Sequence, residues 1–171
     1  MIRAVVACTL AVLLVAAAWS PWLVSVDAVV GTGTGNSCTE AALDAALAAG
    51  GNITFNCGSS PVIITVTSQK TIAADTSIDG GGLIVLNASG IPGVFSVNSG
   101  TTLALANLTY SGGGGSAILN YGTITVTDST FVSNSALDDA GGAIANFQGT
   151  VNVTRSTFIG WHVSVIELPH R

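Results

Sequence analysis

The sequence predicts an all-β protein in which short parallel strands stack as the coils of a β-solenoid behind one N-terminal helix. Three observations point to this fold. The 171 residues are 49% hydrophobic and only 8% charged, with 21 glycines, whereas a typical soluble domain is about a quarter charged. Most of the chain alternates apolar and polar residues in short runs. Finally, one segment recurs three times at intervals of 21 and 27 residues.

The balance of charge restricts the kinds of partner. Four Lys and Arg residues stand against nine Asp and Glu, for a formal net charge of -5. A nucleic-acid partner is not expected, because such proteins need a basic face. The mean hydropathy of +0.65, together with the many glycines, is compatible with two classes of protein: a membrane protein or a rigid β architecture.

Residues 1–28 have the layout of a secretory signal peptide. A short positive start ending at Arg3 precedes an apolar run over residues 4–18, and Trp19-Ser20-Pro21 ends that run. These 15 residues are fewer than the roughly 20 that span a bilayer, so cleavage near Ala28 is favoured over an uncleaved anchor. We therefore expect a secreted or cell-surface protein with no stable membrane span after signal removal.

The next segments predict a linker and an N-terminal cap. Residues 29–37 are rich in glycine and threonine and are assigned to a linker. Residues 38–60 form the cap, with a helix over residues 39–49 that Thr39 begins and Gly50 ends.

Two cysteines, Cys38 and Cys57, follow the signal segment. In an exported protein a disulfide between them is the default expectation, worth roughly 3 kcal/mol in the loop-entropy view. Two buried thiols are the alternative. A zinc site is excluded because no histidine lies nearby.

From Ile53 onward the apolar period is two, and small polar residues or glycine separate the runs. The predicted strands are 53–55, 62–67, 83–86, 94–97, 103–105, 124–126 and 151–153.

Internal repeats select the solenoid among the all-β folds. Residues 103–110, 124–131 and 151–158 align with one another, and residues 117–121 align with 143–147 at an offset of 26. Apolar and aromatic positions recur in type as well as spacing. One such repeat cannot bury its own apolar side chains, so residues 61–160 are predicted to stack as coils about 4.8 Å apart.

The alignment also makes predictions about individual positions. Asn107, Asp128 and Arg155 fall in one column, and we expect an ion pair between Asp128 and Arg155 on neighbouring coils. Residues 135–140 account for the longer offset as an inserted corner loop. Asp79 is expected to bond nearby backbone in a turn.

Two motifs resemble a known family. Phe131-Val-Ser-Asn134 followed by Gly141-Gly142-Ala143-Ile144 is similar to the paired FxxN and GGA[ILV] motifs of bacterial polymorphic outer-membrane proteins. The resemblance covers roughly residues 38–160. It implies a right-handed parallel β-helix of the pectin-lyase-like class and a place on a bacterial cell surface, and it implies nothing about a chemical site.

The last residues, 161–171, match no other copy of the repeat. They are interpreted as an aberrant tail, with the chain as the N-terminal piece of a longer protein. The alternative is that residues 163–168 form a short closing element.

No catalytic, cofactor-binding or metal site is predicted. Asp138-Asp139 is the only adjacent carboxylate pair and lies in the inserted loop, while His162 and His170 both lie in the tail. The spacing of a hydrolytic carboxylate pair is attainable there, but no basic partner accompanies it.

The outward threonines are the strongest candidate for binding. They should stack in rows and form a flat face, which comprises Thr123, Thr125, Thr127, Thr150, Asn152 and Thr154. The leading hypothesis is an exported structural, adhesin-like module that contacts a glycan or another cell-surface ligand. The alternative is a fragment of a polysaccharide-degrading enzyme whose catalytic coils lie beyond residue 171. Ice binding is a minor alternative, because threonine is also simply a good outward strand residue.

Overall fold

A computed structural model describes residues 27–132 and 142–160, together with the backbone of Val163–Val165. The chain is a parallel β-solenoid of about five turns with one short helix. Every strand pair is parallel, which confirms the predicted fold class. The right-handed sense of the coil stays a prediction.

Most strands have three to five residues. The helix α1 spans Glu40–Ala49, after a 3-10 turn at Gly35–Ser37. The strands are β1 (Ala28–Val30), β2 (Gly51–Phe55), β3 (Val62–Thr65), β4 (Lys70–Ile72), β5 (Thr76–Asn87), β6 (Phe95–Val97), β7 (Thr102–Ser111), β8 (Ile118–Asn120), β9 (Thr123–Thr127), β10 (Thr130–Val132), β11 (Ile144–Asn146), β12 (Thr150–Thr154), β13 (Thr157–Ile159) and β14 (Val163–Val165).

Each coil passes through three strand positions, which we name faces 1, 2 and 3. Face 1 consists of β1, β2, the first part of β5, the first part of β7, β9 and β12. Face 2 consists of β3, the later parts of β5 and β7, β10 and β13. Face 3 consists of β4, β6, β8, β11 and β14. The strands β5 and β7 continue from one face to the next and span 12 and 10 residues.

The strand register confirms the repeat alignment. Ile124 is paired with Leu103 on one side and with Val151 on the other. Phe131 likewise lies between Tyr110 and Phe158. Because side chains alternate across a strand, this register sends every apolar repeat position to the same side.

The core is made of inward columns of matched side chains. Leu103, Ile124 and Phe131 are each 1% exposed or less. The rings of Phe131 and Tyr110 have centroids 5.8 Å apart, and those of Phe131 and Phe158 are 5.0 Å apart. The stacked coils therefore bury like against like, which is how short repeats acquire a continuous core.

Helix α1 covers the N-terminal end of this core. Thr39 begins it, since its hydroxyl accepts a hydrogen bond from the Ala42 amide at 3.2 Å, and Gly50 follows the last helical residue with φ 67°. Leu43 and Ala46 are buried. The predicted helix is thus present and contacts β1 and β4. In the part of the chain that is described, no helix is long and apolar enough to cross a membrane.

The structure differs from the linker predicted for residues 29–37. Val29 and Val30 lie in β1, which pairs with Thr54 and Phe55 of β2. Val30 is fully buried. A strand of three residues has no detectable period, so its apolar residues were indistinguishable from the end of the preceding apolar segment.

Several predicted features fall outside the described residues. They are Asn134, Gly141, the inserted loop with Asp138 and Asp139, and most of the tail with His162 and His170. Within the tail, Val163–Val165 adds a parallel strand beside Ile144–Asn146.

Candidate functional site

The outward side of face 1 carries a grid of small polar residues. Thr123 and Thr125 lie directly opposite Thr150 and Asn152 on the next coil. The full grid has three rows: Thr102, Ala104 and Ala106; Thr123, Thr125 and Thr127; Thr150, Asn152 and Thr154. All six predicted residues are therefore brought together on one surface.

The spacing of this grid follows from the strand geometry. Neighbouring coils place their side chains about 4.8 Å apart, and alternate residues on one strand lie about 6.6 Å apart. The outward residues of β7 and β9 are half-buried by their neighbours, and those of β12 are exposed. The result is a flat surface that presents hydroxyl groups at regular intervals.

The N-terminal part of face 1 has a different chemistry. Asn52 and Ser77 continue the column that contains Ala104. The Asn52 amide donates to the Asp27 carboxylate at 2.9 Å. Asp75 Oδ1 accepts the backbone N–H of Thr102 at 2.8 Å. The sequence reasoning missed these residues because they lie upstream of the segments that repeat most clearly.

Between these side chains lies a shallow cavity of about 310 Å³. Its lining is Gly51, Asn52, Asp75, Thr76, Ser77, Thr102 and Ala104. A second cavity of about 310 Å³ lies between α1 and β4, where Asp44, Leu47 and Lys70 contribute to its lining.

The corner between faces 1 and 2 confirms the predicted ion pair. Arg155 Nε and Nη2 donate to the two carboxylate oxygens of Asp128, at 2.7 and 2.6 Å. On the two preceding coils, Asn107 Nδ2 donates to Asp79 Oδ1 at 3.0 Å. Asp79 Oδ1 also accepts the Gly81 amide at 2.9 Å, so it is a turn residue as predicted.

The three aligned corner residues share one backbone conformation. Asn107, Asp128 and Arg155 have φ values of 52°, 48° and 47°. This left-handed region is uncommon for residues other than glycine, asparagine and aspartate. The corner is thus built by the same local geometry on three coils, although the side chains differ.

The hydrogen bond from Arg155 lowers the pKa of the exposed Asp128 carboxyl from its ordinary value. The same bond raises the pKa of the Arg155 guanidinium. Arg155 is 65% exposed. A pair so accessible to water contributes little to folding, and we assign it no binding role.

A buried cation joins the helix to the first coils. Lys70 is only 6% exposed, and its Nζ lies 2.6 Å from Glu40 Oε1 and 2.7 Å from Asp44 Oδ1. Glu40 also accepts hydrogen bonds from the backbone amides and hydroxyls of Thr67 and Ser68. We name these five residues the cap clamp.

Burial alone would raise the pKa of the Glu40 carboxyl. The hydrogen bonds from Lys70 and Thr67 outweigh it and hold that pKa at about 2, below the ordinary 4.5. Burial also acts to lower the pKa of Lys70, but hydrogen bonds to Asp44 and Glu40 raise it overall. Both groups are therefore charged over a wide pH range, as a structural ion pair requires.

The disulfide between Cys38 and Cys57 is present, with Cα atoms 5.7 Å apart. Both cysteines are buried. Cys38 lies two positions before the first residue of α1, and Cys57 lies in the loop after β2, so the bond fixes the cap to the first strand pair.

Polar ladders also run through the interior near face 3. Asn120 Nδ2 donates to Asn146 Oδ1 at 2.7 Å, and Asn146 Nδ2 donates to the Gly149 carbonyl at 2.8 Å. Beside them, the rings of Tyr121 and Phe147 stack with centroids 5.0 Å apart. These ladders satisfy buried amides and keep the coils in register.

The predicted repeat motif is placed only in part. Phe131 is the buried middle ring of the aromatic stack. Gly142, Ala143 and Ile144 are buried at the start of β11. These residues build the coil, and none of them reaches the outward grid.

Within residues 27–132 and 142–160, no group of three or more His, Cys, Asp or Glu side chains is arranged to hold a metal ion. No protein-family model matches the chain, and no curated protein or solved structure matches it either.

Proposed function

We propose that this protein is an exported structural and binding module, adhesin-like in character, whose face 1 contacts a neutral glycan. The observation that carries the proposal is the in-register grid of Thr102, Thr123, Thr125, Thr150 and Asn152 on adjacent coils. The hydrophobic core does not require this grid, because all the side chains of the grid point outward.

The chemistry of the grid favours a hydroxyl-rich ligand. Threonine hydroxyls and asparagine amides each donate and accept hydrogen bonds, as sugar hydroxyls do. The net charge of -5 disfavours an acidic glycan. Each contact with an exposed hydroxyl is weak, so affinity arises when one extended ligand meets several rows at once.

Two further features support an exported, surface-bound protein. The signal-like residues 1–28 end at the first residue of β1, and the Cys38–Cys57 disulfide is typical of oxidising compartments. We therefore include the finer family assignment in the proposal: a right-handed parallel β-helix of the pectin-lyase-like class, related to polymorphic outer-membrane-protein repeats and belonging to a larger bacterial surface protein.

Co-sedimentation with insoluble neutral polysaccharides such as cellulose, chitin and xylan tests the binding function. The disruptive variant is Thr125→Tyr, in which a bulky ring rises from the middle of the grid. The matched control is Thr130→Tyr, because Thr130 is also a half-buried outward strand residue but lies on face 2.

The proposal expects the unaltered protein and Thr130→Tyr to bind one of these polymers saturably. Thr125→Tyr should bind that polymer at least tenfold more weakly. If both tyrosine variants bind like the unaltered protein, face 1 is not the binding surface. If the unaltered protein binds none of the polymers, the glycan function is wrong.

Ice binding is the second candidate, because the same grid repeats threonine on consecutive coils with a regular spacing. Ala104 and Ala106 interrupt the hydroxyls in one row. If the unaltered protein shows thermal hysteresis and Thr125→Tyr does not, ice rather than a glycan is the ligand of face 1. Freezing-point behaviour equal to that of the buffer would eliminate this candidate.

A further inference from the structure

The cavity on face 1 is formed by a local change in side-chain size. Ser77 and Ala104 lie next to each other in one outward column, and Gly51 is the first residue of the neighbouring strand β2. Asn52, Asp75 and Thr102 stand around these small residues. A floor of small side chains within a rim of larger polar ones gives a depression on an otherwise flat sheet.

The rim supplies both acceptors and donors. From the described residues the Asp75 carboxylate accepts one hydrogen bond, donated by the Thr102 amide to Oδ1 at 2.8 Å, whereas an ionised carboxylate can accept about four. The Asn52 amide and the hydroxyls of Ser77 and Thr102 each both donate and accept. The Ala104 methyl group adds an apolar patch at the base.

The volume sets the size of the ligand. About 310 Å³ is at the lower end of the range for small-molecule sites, which is roughly 300–1,000 Å³. The cavity is open, so one ring of a larger molecule can enter it from the surface. A single sugar ring fits this description, because its hydroxyls would meet the rim while its C–H groups contact Ala104.

We propose that this depression is a subsite for one neutral sugar ring, held by Asn52, Asp75, Ser77 and Thr102 above Ala104. The inference deepens the glycan function proposed above, and places the end or a branch of the glycan at the N-terminal part of face 1. The Asp75 carboxylate makes the subsite repel anionic sugars.

Substitution of two equivalent alanines gives a sharp test. Ala104 and Ala106 are both half-buried outward residues of β7, but only Ala104 lines the cavity. Ala104→Leu therefore fills the subsite, and Ala106→Leu adds the same side chain two residues away. Neither change alters the inward core.

The measurement is a ¹H–¹⁵N NMR titration of each protein with glucose, galactose, mannose, xylose and N-acetylglucosamine. We expect saturable shifts with at least one of these sugars at millimolar concentrations, centred on the amides of Asn52, Ser77 and Thr102. Ala104→Leu should weaken binding at least tenfold, and Ala106→Leu should change it less than twofold. Asp75→Asn should weaken it also.

Three outcomes overturn the subsite: no saturable shifts with any of the five sugars, shifts centred elsewhere, or equal binding by Ala104→Leu and the unaltered protein. The result is separable from that of the glycan function. Polysaccharide binding that is lost in Thr125→Tyr but retained in Ala104→Leu keeps the function and removes the subsite. Monosaccharide binding at the depression without polymer binding would keep the subsite and remove the polysaccharide-binding function.

Discussion

The two ends of the described solenoid are held together by different interactions. At the N-terminal end, a helix, a disulfide and the charged cap clamp join segments that have no sequence repeat. Toward the C-terminal end, equivalent side chains stack on one another: Tyr110 on Phe131 on Phe158, and Asn120 on Asn146. The first region depends on specific pairs, and the second depends on repetition.

The difference follows from the need to end a solenoid. A coil inside the stack finds an equivalent coil on each side, so the same residue type serves at each level. Among the described residues the first coil has no equivalent before it, and its strand edge and apolar interior need another cover. Helix α1 supplies that cover, and it needs its own attachments because it cannot join the ladder.

The largest effect is expected from breaking the aromatic stack. Phe131 is 1% exposed and lies between two other rings, so Phe131→Ala should lower the free energy of unfolding by about 3–5 kcal/mol. Tyr121→Ala is the control, since Tyr121 also stacks on a ring but is 44% exposed. Urea unfolding followed by circular dichroism compares them. Equal losses would show that stacking in the core is not what holds these coils.

The disulfide tests the other region. The Cys38→Ala/Cys57→Ala variant should lose about 3 kcal/mol, because the bond spans 19 residues and restricts the unfolded chain. Native-state hydrogen exchange should show that the loss of the disulfide accelerates amide exchange more in α1 and β2 than in β9 and β12. Uniform acceleration across all coils would mean that the two regions unfold as one unit.

Removal of the buried cation sharpens the comparison further. Lys70→Met should lower the free energy of unfolding by about 2 kcal/mol. This is less than the roughly 3–5 kcal/mol for a fully buried pair, because Asp44 is 47% exposed. Equilibrium denaturation at pH 7 measures the change, and a variant as stable as the parent would contradict a clamp role for Lys70.

The cap clamp also predicts a dependence on pH. The pKa of Glu40 is lowered to about 2, so its contribution to stability is complete above the ordinary pKa of 4.5 and is lost as pH falls toward 2. The Glu40→Gln variant should lack this part of the acid dependence. Parallel pH profiles of the free energy of unfolding for the two proteins would contradict the assignment.

The smallest effect is expected at the exposed corner. Arg155→Ala should lower the melting temperature slightly at low salt, and the difference should vanish near 1 M salt, where the screening length is about 3 Å. A large or salt-independent decrease in melting temperature would mean that the Asp128–Arg155 pair contributes substantially to the stability of the coil.

How much was predictable also differs between the two regions. The register of the repeated coils was predicted residue by residue, because Leu103, Ile124 and Val151 recur with the same flanking pattern and strand pairing preserves that pattern. The short strands β8, β10, β11 and β13 of the same coils were not among the predicted strands. Asp128 and Arg155 were paired on the same basis. Repetition in sequence translates directly into neighbours in space.

The N-terminal region carried no such signal. The β1 strand was hidden by its length of three residues, and the two carboxylates that pair with Lys70 lie 26 and 30 positions away with no repeat to relate them. The depression above Ala104 depends on which small side chains meet across three coils. Those contacts are fixed by the pairing of β2 with β5 and of β5 with β7, and the residues of these strands do not recur in the sequence as those of the later coils do.

The central claim is that the coils stack in parallel with offsets of 21 and then 27 residues, since both the core and the grid on face 1 depend on it. Backbone NOEs measured by NMR test it most directly. The account predicts cross-strand contacts between the residues around Ala104 and Thr125, and between those around Thr125 and Asn152. Contacts at any other offset between β7 and β9 or between β9 and β12, or the close Hα–Hα pattern of antiparallel strands, would contradict it.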